Sequence, residues 1–132
     1  MKPEKVIYSL IVGDTRVLGL AGARVYSDVA PQGTLKPFIV LGLIDDMPDY
    51  PIDATPGTDP WTARVQATCL GATSESAKGL ADACMTACYK KNGTIGGVQV
   101  IAVLINTRRA SHYDMDVDTY QQSVDFIVHY YR

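Results

Sequence analysis

The sequence predicts an α+β domain: an antiparallel β-sheet of about four strands with a long helix and a broken N-terminal helix packed on one face. Three observations predict it. From Thr73 to Gly93 apolar residues recur at helical spacing, and from Trp61 to Leu70 apolar and polar residues alternate as in a half-buried strand. The order of elements, helix, strand, strand, helix, strand, strand, sets two strand pairs around one long helix. A chain of 132 residues is long enough to bury one core, which predicts a single domain over 1–132.

The first element, about Pro3 to Val12, places Val6, Ile7, Leu10 and Ile11 on one stripe, with the proline in a first-turn position. Gly13 ends it. Asp14 then caps a further turn or two through Arg16, Val17, Leu18 and Leu20, and Gly22 closes that piece. Arg24 to Tyr26 reads as a short extended segment. Ala30 and Lys36 each precede a proline and are pushed away from helix, while Pro31, Gln32 and Gly33 suit a tight turn. The run from Pro37 to Asp45 reads as a strand, apolar on both faces and so central in its sheet, with Pro37 where a missing N–H does least harm.

Asp45 to Pro60 carries four prolines and five aspartates, which excludes helix and inner strand and predicts a long loop, either disordered or functional. After it, Ala63, Val65, Ala67 and Cys69 fall on one face of a strand and Thr62, Arg64, Gln66 and Thr68 on the other. The long helix has Thr73 or Ser74 as its cap and Glu75 in its first turn. Ala77, Leu80, Ala81, Cys84, Met85 and Cys88 form its apolar stripe, and Lys90 to Gly93 stop it. Alanine and cysteine keep that stripe thin, so the helix sits close on a sheet. Gly96 to Asn106 reads as a third strand of largely buried character, and Thr107 to Thr119 as a polar connection. Tyr120 to Tyr131 closes the order, with Val124, Phe126, Val128 and Tyr130 on one side. No internal repeat or low-complexity segment is present.

Composition excludes several classes. Hydrophobic residues at 47% and charged residues at 20% do not fit a disordered chain, and no apolar run approaches the ~20 residues of a membrane span. The apolar patch from Val6 to Val12 is too short for a signal peptide and is interrupted by Tyr8 and Ser9, so an intracellular, unprocessed chain is expected. The formal net charge is −2, and the basic doublets Lys90-Lys91 and Arg108-Arg109 are its densest positive points. Charge alone therefore predicts no direct nucleic-acid recognition. Cys69, Cys84 and Cys88 are odd in number, with two of them a helical turn apart. That spacing predicts buried thiols in a reducing compartment and no disulfide framework.

A catalytic site needs a nucleophile or an acid–base pair with an orienting partner. His112, beside Asp114 and Asp116, is the best such cluster, but it lies in a polar connection of the kind that carries such triples on solvated loops. His129 falls mid-strand, as a sheet-face histidine. Aspartates 45, 46, 49, 53 and 59 miss the spacing of a calcium loop, and the glycines of "GTIGGVQV" precede a strand, so they fail as a phosphate cradle. No catalytic, cofactor-binding or metal residues are predicted, and no cofactor. Eight tyrosines against two phenylalanines, many near strand ends or loops, point to contact surface instead.

The segment "RVYSDVAPQGTLKPFIVL" resembles the signature of the tail-completion proteins of long-tailed bacteriophages, with Arg24, Tyr26, Pro31, Gln32, Gly33 and Pro37 matching in place. "RVQATCLGATSESAKGLADAC" is similar to that family's strand, small-residue turn and alanine-rich helix, and "QQSVDFIVHYY" to its closing strand. The resemblance covers roughly Val6 to Tyr131 and departs from the family in the cysteine-rich helix and the "TCL" strand end. It implies a tail-terminator-like fold and a structural role. A hexameric ring of identical subunits at the head-proximal end of the tail would stop tube polymerisation and dock the head connector. The implied partners are further copies of the chain, the tail tube protein and the head–tail connector protein, with no membrane. The implied location is the virion, and the host cytoplasm during assembly. Candidate interface residues are Arg24, Tyr26, Pro31, Gln32, Gly33 and Pro37 from the signature, with Tyr50 and Trp61 from the Pro/Asp-rich loop. Two other readings stand beside it: another tail-tube or head-closure subunit, and a cytosolic α+β module holding a small ligand between sheet and helix.

Overall fold

In a computed structural model of the chain, the described residues are 2–49, 60–115 and 118–131. The helices are α1 (Lys2–Val12), α2 (Thr15–Ala21) and α3 (Ser74–Cys88). The strands are β1 (Val25–Ser27), β2 (Phe38–Pro48), β3 (Pro60–Gly71), β4 (Gly93–Ile95), β5 (Val98–Arg108), β6 (His112–Asp114) and β7 (Thr119–Tyr131). They form one mixed sheet in the order β1-β2-β3-β7-β5-β4, with β6 also paired to β7. The α+β class holds, but the expectation of about four antiparallel strands does not. Two short strands, β4 and β6, are added, the extended segment read at Arg24 to Tyr26 is the short strand β1, and β1 runs parallel to β2. Each is three residues long, too short to show a period in sequence.

The centre of the sheet is β3 against β7, paired without a break from Pro60↔Tyr131 to Gly71↔Tyr120. On its inner face small residues oppose large ones: Ala63 faces Val128, Val65 faces Phe126 and Ala67 faces Val124. All six are fully buried, together with Leu80, Ala81, Cys84 and Cys88 of α3 and Val6, Ile7 and Ile11 of α1. The alanines on both β3 and α3 let the helix backbone approach the sheet closely, as close packing requires. Thr73 caps α3 by accepting the Ser76 amide at 3.1 Å, and Asp14 caps α2 through the amides of Arg16 and Val17 at 2.9 and 3.1 Å.

Two strands differ from expectation in their outer faces. β2 is not apolar and buried on both sides, since Leu43, Ile44 and Met47 are exposed. β5 likewise buries Val98, Val100 and Val103 but exposes Ile101 and Leu104. Both strands lie towards the margins of the sheet, where one face is covered by helices and the other is not. The predicted loop from Asp45 is also shorter than its composition implied: Asp45, Asp46, Met47 and Pro48 pair with Arg64, Ala63, Thr62 and Trp61. A shift of register between Leu43 and Asp45 lets the acidic end of β2 continue the ladder.

The outer face holds a charge cluster. Asp125 points away from the core yet is fully buried, because Arg64 and Arg109 lie over it with contacts of 3.5 and 3.0 Å. Arg64 also reaches Asp45 at 3.5 Å, so the cluster ties β2, β3 and β7 together across the sheet.

Candidate assembly interface

Parallel neighbouring strands ordinarily need a crossover of a dozen or more residues, usually a helix. Here β1 and β2 are joined by the stretch from Asp28 to Pro37, with no helix, and its turn chemistry makes this possible. Asp28 takes a left-handed backbone, φ 65°, and its amide donates to the Leu41 carbonyl at 2.7 Å. Thr34 closes the Pro31-Gln32-Gly33 turn, its amide and hydroxyl both donating to the Pro31 carbonyl, with Gly33 at φ 80° where a side chain would be strained. The Lys36–Pro37 peptide is cis. Arg24 Nε then donates to the Pro37 carbonyl at 3.1 Å, and Ile39 N to the Arg24 carbonyl at 3.0 Å. Tyr26 meets Phe38 edge to face, ring centroids 6.4 Å apart. At the far side of the connection, Lys36 Nζ donates to the Asp118 carbonyl at 3.0 Å.

The structure therefore brings Arg24, Tyr26 and Pro37 together at the start of β2, with Pro31, Gln32 and Gly33 on an exposed turn beside them. Trp61 is not part of this patch. It pairs with Pro48 at the opposite end of β2 and packs half-buried against the core. Tyr50, and the stretch 50–59 of the loop singled out from sequence, lie outside the described residues.

The histidines do not assemble a catalytic group among the described residues. His112 is exposed on β6; Asp116, its proposed neighbour, is outside the described residues. His129 Nδ1 lies 3.0 Å from Thr62 Oγ1, which donates to Asp49 Oδ2 at 2.7 Å. With the hydroxyl hydrogen engaged on the carboxylate, the threonine oxygen is left to accept from the Nδ1–H tautomer of the imidazole. In a nucleophile triad the histidine stands in the middle as base; here the threonine does, and its hydroxyl is not activated by His129. The three cysteines are free and buried, with Cys69 and Cys84 Sγ atoms 3.9 Å apart. That contact and burial push the Cys69 thiol well up, and burial does the same for Cys88, so neither supplies a thiolate near neutrality. No group of three or more metal-ligating side chains is gathered among the described residues. No described helix is long and apolar enough to cross a membrane.

Sequence reasoning missed the Arg64–Asp125–Arg109 cluster and the acidic end of β2. The signal was present: Arg64 and Asp125 both stand on the outward phase of strands recognised from their alternation. Nothing in either strand alone gave their pairing.

The family model for tail completion protein gp17 matches residues 5–131. No curated protein matches the chain in sequence. Among solved structures, a chain in the "Virion of native gene transfer agent (GTA) particle" has the same fold, with a TM-score of 0.73 at 16% identity over 96% of this chain and 92% of that one. The match to the family runs through the Arg24–Pro37 connection, the β3–α3 unit and β7. On that evidence the chain belongs to the tail completion protein gp17 family, structural proteins of the phage tail.

Proposed function

We propose that the chain forms a hexameric ring at the head-proximal end of the tail tube, ends tube polymerisation there and offers the docking surface for the head connector. The observation that carries this reading is the family match over residues 5–131. The local geometry of the signature supports it. The residues that mark the family in sequence converge on one connection, which is held by backbone hydrogen bonds and the Arg24–Pro37 contact. A pre-set surface of this kind loses little conformational entropy on assembly, where a mobile loop would lose much. Light scattering coupled to size exclusion, across a concentration series, tests the ring: a discrete species of about six subunits is expected for closed rotational symmetry. A tight dimer at every concentration would overturn it.

The segment after β2 is the second contact, towards tube or connector. Because Met47 and Pro48 belong to the β2–β3 ladder, the informative deletion is confined to residues 51–58. That variant is expected to fold and to fail in a head–tail joining assay; full joining activity would remove the loop from the interface.

A further inference from the structure

Among the described residues the sheet has two edges, and each is only partly covered. β1 pairs with β2 at Ile39 to Leu41 alone. Beyond it, among the described residues, no strand lies along the outer side of β2 from Gly42 to Pro48. On the other side β4 pairs with β5 at Val98 to Val100, and the backbones of Lys90 and Lys91 bond Val103 at 2.8 and 3.1 Å. No described strand follows β5 from Leu104 to Arg108. Unpaired edges of this length are templates for another strand, and proteins usually blunt them.

The edges differ in charge. Along β2 and its corner stand Asp28, Asp45, Asp46 and Asp49, with Leu43, Ile44 and Met47 exposed among them, Met47 at 59%. Along β5 stand Lys90, Lys91, Arg108 and Arg109. Part of this charge is used within the chain: Asp45 by Arg64, Arg108 by Asp82 and Arg109 by Asp125. Lys90 and Lys91 remain exposed, and Asp49 accepts a hydrogen bond from the Thr62 hydroxyl, which does not cancel its charge.

Strand direction also fits. β2, β3, β7 and β5 alternate in sense, so β2 and β5 run oppositely within one subunit. A rotation about an axis along the strands preserves each sense and sets the β5 of one copy antiparallel to the β2 of the next, the better pairing.

We propose that the outer edge of β2, Gly42 to Pro48, docks on the outer edge of β5, Leu104 to Arg108, of a second copy, extending the sheet from subunit to subunit with acidic edge against basic edge. This rests on the self-assembly proposed above and names the surfaces that make it. The contact is heterologous, so it closes only by rotation. Like charge between the acidic residues of β2, and between Lys90 and Lys91 beside β5, disfavours the isologous pairings β2 on β2 and β5 on β5.

The test is a charge swap on exposed positions, followed by light scattering and by circular dichroism for folding. The first variant is Met47→Lys with Asp49→Lys; the second is Lys90→Glu with Lys91→Glu. Each alone is expected to weaken self-association by about tenfold or more, since it sets like charges edge to edge. The 1:1 mixture of the two variants, and the chain carrying all four changes, are expected to recover, because each acidic edge again meets a basic one. Unchanged association in both single-edge variants would overturn the proposal while leaving the ring intact. So would loss without recovery. A native chain that does not self-associate at any concentration would remove the ring reading and this contact together.

Discussion

Asp125 stands on the face of the sheet away from the helices, where a carboxylate normally meets water, yet two guanidinium groups seal it off completely. One carboxylate oxygen, Oδ1, and Arg64 Nε are buried without a hydrogen-bond partner, so the cluster is held by charge more than by full hydrogen bonding. Asp125→Asn removes the charge that holds both arginines, and a loss of about 1–3 kcal/mol in urea unfolding is expected. Arg64→Ala with Arg109→Ala uncovers the carboxylate, which water then solvates, so its loss is expected to be no larger than that of Asp125→Asn. A larger loss for the double arginine variant would contradict this account. Glu4, 5% exposed in α1, carries a pKa raised above 4.5 by burial and then by the nearby Asp28 charge. A raised carboxyl pKa means that the folded state binds the proton more tightly, so stability falls as pH rises from 4.5 through the folded value. Glu4→Gln is accordingly expected to raise the thermal midpoint at pH 7, and to lose that advantage below pH 4.5. The thiols give a third check. Cys69, Cys84 and Cys88 are expected to ignore a thiol reagent in the native protein and all to react once it is unfolded.

Elements were legible in proportion to their length and to how much of their environment their own residues decide. α1, the capped α2, α3, β3 and β7 each show a period and a punctuated end, so sequence placed them closely. β4 and β6 are held by their partners β5 and β7 and have no signal of their own. The end of β2 was misread because Asp45, Asp46 and Pro48 favour loop locally, while pairing with Arg64, Ala63 and Trp61 of β3 overrides that preference. The candidate interface divides along the same line. Arg24, Tyr26 and Pro37 come together within one connection and were readable; the distance between that patch and Trp61 depends on the course of β2 and was not. The joint between β3 and α3 offers a test. A Cβ on Gly71 would lie 2.8 Å from the Ala77 backbone nitrogen, which has no freedom to give way. Gly71→Ala should cost about 1–3 kcal/mol, as overpacking does. Thr73→Ala, which removes the adjacent cap, should cost about 1 kcal/mol.

At the scale of the whole molecule the sheet is organised around β7, which pairs with β3, β5 and β6. It supplies Val124, Phe126, Val128 and Tyr130 to the core and Asp125 to the outer cluster. Removing residues 119–131 is expected to leave no cooperative unfolding transition, whereas removing β1 should leave one, because β1 covers only three positions of one strand.

That central strand is also the latest of the seven along the chain, and a polypeptide is synthesised from its N-terminus. While β7 is still on the ribosome, β3 and β5 have no common neighbour, and the two outer margins of the sheet are not yet fixed relative to each other. A growing chain is therefore unable to present both margins in the geometry of the finished subunit. If those margins join one copy to the next, neighbouring nascent chains on one message are kept from assembling prematurely by the order of translation itself.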